Sequence, residues 1–318
     1  MTYLYDFVLF SGKSLIVLVT ILLIVAGVLA LLHKGKTKQQ LDVTHINKKL
    51  TEIRDGLQMV LLDKKTYKAE QKAQKKEQKT RTSLPRTFVL TFDGDIKASQ
   101  AEHLREEITA ILTVVKPEDE VLVKLNSPGG MVHGYGLAAA QLERLRTRNI
   151  RLTVAVDAVA ASGGYMMACV ADHIIAAPFA IIGSIGAVVQ LPNFNKWLAK
   201  HDIEFEQLTA GEFKRPLSVF GKNTDKGREK MQQELEVTHE LFKRFIRQHR
   251  PQVDINQVAT GEHWFGTQAK DFYLVDDIIT SDDYLLAQSK QRDIYHIHYY
   301  MPAKSWLKKL FHRAQVLC

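Results

Sequence analysis

The sequence predicts an α/β domain with largely parallel strands, preceded by one apolar helix. Two observations predict this arrangement. In the second part of the chain, short apolar runs typical of strands alternate with stretches of helical periodicity. Near the start, 19 residues from Ser14 to Leu32 carry no charge, and a basic, glutamine-rich stretch follows them. The predicted parts, in chain order, are a helix at 14–32, a linker at 33–85, a folded domain at 86–292 and a basic amphipathic tail at 293–318.

The uncharged segment predicts a single transmembrane helix. At about 1.5 Å of rise per residue its length is about 28 Å, close to the thickness of the hydrocarbon core of a bilayer. A cleaved signal peptide is the alternative. Its apolar region usually has about 7 to 15 residues and ends at small residues, whereas this one is longer and is followed by His33 and three lysines within the next five residues. The sequence therefore favours an uncleaved anchor.

The linker accounts for the charge of the whole chain. Residues 33–82 contain 14 Lys and Arg against 6 Asp and Glu, a surplus equal to the formal net charge of +8. Up to Leu61 the apolar residues recur at helical spacing, which predicts an amphipathic helix; from Thr66 they vanish, which predicts a solvated helix or a disordered tether. The lysines suit either contact with anionic lipid or a plain charged spacer.

Local patterns predict each element of the folded domain. Apolar runs bounded by polar residues predict strands at 87–92, 120–125, 151–156, 203–208 and 275–279. Apolar residues on one helical face predict five helices. The first starts at a Ser99–Glu102 capping box and the third near Ser162; the second, fourth and fifth cover 134–148, 225–249 and 267–272. The apolar segment 174–191 is interrupted by Pro and Gly, so buried strand and turn is favoured over a second span. The tail at 302–313 alternates aromatic and basic residues, and suits a membrane surface or a neighbouring subunit.

Two small-residue segments, each between a strand and a helix, are suited to catalysis. In the SPGG run at 127–130, Gly129 and Gly130 permit positive backbone angles and let N–H groups face a ligand oxygen. Ser162, followed by Gly163, stands at a predicted helix start, where free N–H groups favour a nucleophile and the oxyanion that follows its attack. Taken singly, the first segment is also a common turn and the second an ordinary N-cap serine.

A serine nucleophile needs a base, and the histidines are scattered with no His–Asp pair at informative spacing. Lys214 follows a predicted strand and is flanked by Phe213, Pro216 and Leu217. If these side chains desolvate it, the neutral amine is favoured and can accept a proton. A surface lysine without a catalytic role is the ordinary alternative.

Three motifs, in this order, carry a resemblance to the signal peptide peptidase A family of serine peptidases. They are SPGGMVHGYG from Ser127, DAVAASGGYMMACVADHIIAAPFAIIGSIGAV from Asp157 and TAGEFKRPL from Thr209. The resemblance covers residues 87 to about 290. It implies a fold similar to those of ClpP and crotonase, built from repeated ββα units and preceded here by the transmembrane helix.

The same resemblance implies roles for individual residues. Ser162 falls on the nucleophile of the family and Lys214 on its general base. The oxyanion hole of the family uses backbone N–H groups, which correspond here to Gly129, Gly130 and Gly163. In half-length relatives the subunits form a ring in which serine and lysine come from neighbouring protomers, so a homo-oligomer is implied.

The implied activity is a membrane-anchored serine endopeptidase that cleaves signal peptides or other membrane-derived or unfolded peptides. The implied partners are a peptide or protein substrate and the lipid of the bacterial inner membrane, with no cofactor, metal or nucleic acid. Two positions depart from the pattern of the family. Arg215 stands where better-known members have an acidic residue, and Tyr273 stands where relatives usually have glycine.

Two other functions stay open at this point. A catalytically silent, membrane-anchored oligomeric scaffold would use the same fold, and so would acyl-CoA chemistry, although nothing marks the carboxylates that the latter needs. The side of the membrane is also open. Lys and Arg are concentrated after the anchor, which by the positive-inside rule predicts a cytoplasmic domain, whereas the resemblance implies the periplasm, which we favour.

Overall fold

A computed structural model describes residues 2–33, 41–80 and 84–300. Residues 2–33 belong to one compact unit and the described residues from Leu41 onward to another. The first unit is the helix α1 (Thr2–His33), which confirms the helical prediction for that segment. Among the described residues, no helix is both long enough and apolar enough to cross a membrane. The anchor at 14–32 stays a prediction from the sequence. The amphipathic segment predicted at 302–313 lies outside the described residues.

The second unit alternates helices and strands. Its helices are α2 (Ile46–Leu61), α3 (Lys64–Thr80), α4 (Ala101–Leu112), α5 (Val132–Arg146), α6 (Gly163–Ala168), α7 (Asn195–Lys200), α8 (Asp225–His249), α9 (Ile255–Val258), α10 (Gly266–Asp271) and α11 (Ser281–Gln288). Its strands are β1 (Leu41–His45), β2 (Arg86–Asp93), β3 (Glu120–Asn126), β4 (Arg151–Val156), β5 (Val159–Ala161), β6 (His173–Ala176), β7 (Ile181–Gly183), β8 (His263–Phe265), β9 (Asp277–Ile278) and β10 (Asp293–Tyr299). The α/β prediction is confirmed.

The strands form two sheets. The larger has seven strands in the order β1-β10-β2-β3-β4-β6-β9, all parallel to their neighbours except β1, which is antiparallel to β10. The smaller has the order β5-β7-β8. The chain passes twice from the large sheet to the small one. Strand β4 belongs to the large sheet and β5 to the small one, and β6 and β7 repeat this order. This alternation suits the predicted ββα arrangement, and it carries the chain from β5 directly into α6.

The core fills both faces of the large sheet. On one face, α4, α5 and α6 pack against the sheet with fully buried side chains that include Ile108, Tyr135, Leu142 and Tyr165. On the other face, a smaller cluster that includes Leu122 packs against α11. Because β3 is buried on both faces, it is an uninterrupted apolar run from Val121 to Val123 rather than an alternating one.

The capping box predicted at Ser99 and Glu102 is wrong. Helix α4 starts at Ala101, and its N-cap residue Gln100 makes no side-chain capping bond. The Ser99 N–H donates to Asp95 Oδ1 at 2.8 Å, so Ser99 belongs to the turn that precedes the helix. Local turn chemistry has replaced the cap that the sequence spacing suggested.

The predicted strand at 203–208 is also wrong, because no described strand pairs with it. Its apolar side chains are exposed, Leu208 by 94%. A strand needs a partner for its backbone groups. Two further predictions are corrected by the structure. Residues 41–45, predicted as the start of a helix, form β1, and residues 293–299, assigned to the tail, form β10. The two strands pair with each other, with Leu41 opposite Tyr299 and His45 opposite Tyr295.

Candidate active site

Ser162 occupies a strained turn between β5 and α6. Its φ of 52° and ψ of −119° lie where residues other than glycine are rare. Its N–H donates to Gly183 O at 2.8 Å. Although it stands at the N-cap position, its side chain makes no capping bond, so it is not an ordinary N-cap serine. Its half-buried hydroxyl has no hydrogen-bond partner among the described residues.

The SPGG run at 127–130, called here the glycine loop, lies directly against Ser162. Gly129 has a φ of +90°, and a β-carbon there would be 2.8 Å from Ser162 Cβ and 2.7 Å from the Gly163 nitrogen. Only glycine allows this approach. The loop is tied to β5 through the Ser127 backbone, whose oxygen accepts from the Ala161 N–H at 3.0 Å. The structure therefore brings together three residues that the sequence selected: Gly129, Ser162 and Gly163.

The three glycines predicted as oxyanion donors differ in what their N–H groups do. Gly163 begins α6, so its N–H has no acceptor within the helix. The N–H groups of Gly163 and Gly130 have no acceptor in the part of the chain that the structure describes. The Gly129 N–H donates to Ser127 Oγ at 3.1 Å. Two of the three predicted donors thus have no acceptor among the described residues, and one of them, Gly163, directly follows the serine.

Behind the glycine loop lies a pair of buried hydroxyl groups that sequence reasoning missed. Ser127 Oγ and Tyr135 OH are 2.6 Å apart, and Tyr135 OH donates to Asp95 O at 2.8 Å. Burial raises the pKa of the Tyr135 hydroxyl, which keeps it protonated as a donor. One signal could have found it: Tyr135 shares the spacing of the buried face of α5, and a buried tyrosine hydroxyl needs a partner. The other buried residues of that face are Ala138, Ala139, Gln141, Leu142 and Leu145.

Lys214 lies apart from these groups in the segment between α7 and α8. Its N–H donates to Gly211 O at 3.2 Å, and its ammonium group makes no hydrogen bond or ion pair with the described residues. The expected desolvation is not found within one chain, because the Lys214 side chain is exposed. The Phe213 ring instead faces the ammonium groups of Lys226 and Lys230, each 5.7 Å from its centroid. No described contact joins Lys214 to Ser162.

The segment that carries Lys214, residues 187–224 and called here the arm, has an unusually apolar surface. Large apolar side chains project from it without being buried, Leu208 and Val188 most of all, at 94% and 78% exposure. Others are Phe194, Trp197, Ile203 and Phe205. Large apolar side chains concentrated on an exposed segment favour an interaction site over a free surface.

Comparison with known proteins matches the chain to two family descriptions. Residues 2–142 match the N-terminal region of peptidase family S49, and residues 144–294 match peptidase family S49 itself. A protein named probable protease SohB from Haemophilus influenzae is 58% identical over 228 residues, which are 72% of this chain and 64% of that protein. Another probable protease SohB, from Buchnera aphidicola subsp. Schlechtendalia chinensis, is 46% identical over 301 residues, 90% of this chain and 97% of that protein.

A solved structure of a mutant 1510-N membrane-bound stomatin-specific protease aligns with a TM-score of 0.43 and 13% identity, over 65% of this chain and 86% of that one. The assignment depends instead on the sequence relatives, one of which is matched over nearly its whole length. The chain belongs to peptidase family S49 and is a SohB-like member of it.

Proposed function

We propose that this chain is a serine endopeptidase in which Ser162 is the nucleophile. One observation carries the proposal: Ser162 keeps a strained positive φ against Gly129. Among the described residues neither its hydroxyl nor the adjacent Gly163 N–H has a hydrogen-bond partner. Strain of this kind clusters at catalytic residues, because the surrounding structure must hold the residue in place. Membership of a peptidase family supports the same function.

The proposed chemistry is acyl transfer to Ser162. The Ser162 hydroxyl loses its proton to the neutral amine of Lys214, and its oxygen bonds to a peptide carbonyl carbon. The backbone N–H groups of Gly163 and Gly130 stabilise the tetrahedral oxyanion, whereas the Gly129 N–H is held by Ser127 Oγ. Lys214 then protonates the departing amine, and a water that has lost a proton to the same lysine cleaves the acyl-enzyme.

We infer that Lys214 reaches Ser162 of a neighbouring copy of the chain. Within one chain the lysine is exposed on the arm, whose apolar side chains are also exposed. A head-to-tail contact would bury the arm and close into a ring. Burial there would also favour the neutral amine that the mechanism needs.

The proposed substrates are signal peptides or other membrane-derived or unfolded peptides, as implied by the family resemblance. The small residues that surround Ser162 leave room for an extended chain. Attachment to the bacterial inner membrane, with the catalytic domain in the periplasm, stays a prediction from the sequence. Carbonate extraction of membranes that contain the full chain or a deletion of residues 14–32 tests it, and equal extraction of both would contradict it.

The central experiment compares the full-length chain with two variants, Ser162→Ala and Lys214→Ala. We expect the wild type to cleave an unfolded protein and to be labelled by a serine-directed phosphonate. Each variant should lose almost all cleavage, roughly 10³-fold or more, because nucleophile and base act as a unit. Ser162→Ala should also lose the label.

Two matched controls sharpen the comparison. Ser184 also has a positive φ, of 50°, and directly follows β7, the strand that pairs with β5. It has no part in the proposed chemistry, so Ser184→Ala should retain the label and the activity. Lys222 is an exposed lysine of the same arm, so Lys222→Ala should cleave normally. A wild type that oligomerises but neither cleaves nor labels would favour the scaffold alternative instead.

A further inference from the structure

Two buried hydroxyl groups form a hydrogen-bond chain that starts at the glycine loop. Tyr135 OH gives its one proton to Asp95 O, so Ser127 must be the donor in the 2.6 Å contact between the two hydroxyls. Ser127 Oγ in turn accepts the Gly129 N–H at 3.1 Å. The chain therefore runs in one direction, from the Gly129 N–H through Ser127 and Tyr135 to the Asp95 carbonyl. Each bond in such a series polarises the next.

Tyr135 also touches the other half of the proposed oxyanion site. A β-carbon at position 163 would be 2.7 Å from Cδ2 of the Tyr135 ring, so the ring packs directly against Gly163. The ring is held in turn by Phe92, with centroids 6.3 Å apart in an edge-to-face arrangement. Both Ser127 and Tyr135 are completely buried. One tyrosine thus connects the loop on one side of Ser162 with the first helical residue on the other.

We propose that Ser127 and Tyr135 are positioning residues that fix the glycine loop at the distance from Ser162 that oxyanion stabilisation requires. The inference rests on the proposed serine-peptidase function. The Ser127 hydroxyl orients the peptide between Pro128 and Gly129, and Gly129 packs directly against Ser162. Loss of that bond frees the peptide to rotate, and the neighbouring N–H groups move with it.

The effect should appear in the transition state and not in substrate binding, because the carbonyl oxygen becomes fully charged only after attack. We therefore expect Tyr135→Phe and Ser127→Ala to lower kcat by about 10- to 100-fold and to change KM by less than about twofold. Binding of a peptide boronate should weaken by the same factor as kcat, since its tetrahedral adduct presents an oxygen to the same donors. Because both side chains act through one chain of bonds, the double variant should lose no more than the worse single variant.

A matched control separates positioning from general stability. Tyr284 is another buried tyrosine, and its hydroxyl donates to Glu120 Oε1 at 2.7 Å at the opposite end of β3. Tyr284→Phe should lower the melting temperature as Tyr135→Phe does, yet leave kcat and boronate affinity at wild-type values. Melting curves of all the variants verify that they are folded.

The measurements have distinct outcomes. Wild-type kcat and boronate affinity in both Tyr135→Phe and Ser127→Ala would overturn the positioning role, and so would losses that the Tyr284→Phe control shares. If Tyr135→Phe and Ser127→Ala behave like wild type while Ser162→Ala is inactive, the positioning role alone is overturned, and the proposed peptidase function still holds. If wild type neither cleaves nor labels, both proposals fail together.

Discussion

Gly129 lies so close to Ser162 that a β-carbon added at position 129 would be 2.8 Å from Ser162 Cβ. The same atom would be 2.7 Å from the Ala161 carbonyl oxygen, which is backbone and cannot move aside without moving β5. The φ of +90° at Gly129 adds to the obstacle. The approach of the loop to the serine therefore depends on glycine at this position.

Gly129→Ala should abolish most peptidase activity. The added methyl group must displace either the glycine loop or the turn at Ser162, and a shift of about 1 Å in a catalytic group can cost about 100-fold. Gly136→Ala is the control, since a β-carbon at that position in α5 meets nothing within 4 Å. It should raise the free energy of unfolding by roughly 0.5 to 1 kcal/mol at unchanged activity. Kinetic assays and denaturant titration check both; an active Gly129→Ala enzyme would refute the packing argument.

The elements that the sequence predicted well are those whose patterns are local. Strand β4 and helix α8 have the predicted bounds, 151–156 and 225–249, because each apolar run or stripe is complete in itself. Strands β1 and β10 were missed because neither has a strong pattern of its own. Strand β1 is at the edge of the large sheet, and β10 lies between β1 and β2. Both exist through pairing between residues more than 200 positions apart, and no local signal encodes those contacts.

The candidate site likewise contains residues that local motifs predicted and contacts that only the folded chain shows. Gly129, Ser162 and Gly163 could be selected because each follows a strand in a recognisable small-residue motif, and the structure places them together. The hydrogen bond between Ser127 and Tyr135 joins a loop to the buried face of a helix, which only the tertiary fold determines. The proposed pairing of Lys214 with Ser162 needs a second chain, so no pattern within one chain could specify it.

Mixing two inactive variants tests the shared site. If serine and lysine come from neighbouring protomers, Ser162→Ala and Lys214→Ala chains that co-assemble should regain activity. In a random equimolar ring about one quarter of the sites combine an intact serine with an intact lysine, since each is present with a probability of one half at a head-to-tail contact. Co-refolding followed by a peptidase assay measures the recovery. No recovery in mixtures shown by crosslinking to be mixed would contradict the shared site.

Tyr273 stands in a helix-ending position that normally requires glycine. After α10, the Leu274 N–H donates to Ala269 O and the Tyr273 N–H to Lys270 O, which is a complete Schellman motif with Tyr273 at φ 60°. Tyr273→Gly should raise the free energy of unfolding by about 0.5 to 1 kcal/mol, because relief of the left-handed strain exceeds the entropy cost of glycine. Tyr273→Ala keeps the β-carbon and should give no gain. Equal stability of the Gly and Ala variants in urea titration would argue against the strain.

Glu107 should make the stability of the fold depend on pH near neutrality. Its carboxyl group in α4 is 2% exposed, and burial raises its pKa to about 7 although it accepts the Tyr299 N–H at 2.9 Å. The ionisable side chain that faces it is His298 of β10, with Nδ1 3.7 Å from the carboxylate. Because the folded state holds the proton more tightly than the unfolded state, stability is full below about pH 4.5 and falls as the pH rises towards 7, by up to about 3 kcal/mol.

Glu107→Gln should remove this dependence. The glutamine stays neutral and its amide oxygen can still accept the Tyr299 N–H, so the free energy of unfolding should vary little between pH 5 and 8 and should match or exceed that of wild type at pH 8. Glu106→Gln, on the exposed side of the same helix, should keep the wild-type slope. Urea titrations across this range, repeated with His298→Gln to separate the histidine, measure the slopes. If Glu107→Gln and wild type lose stability in parallel as the pH rises, the proton is held elsewhere, and the buried carboxylate does not control the packing of α4 against β10.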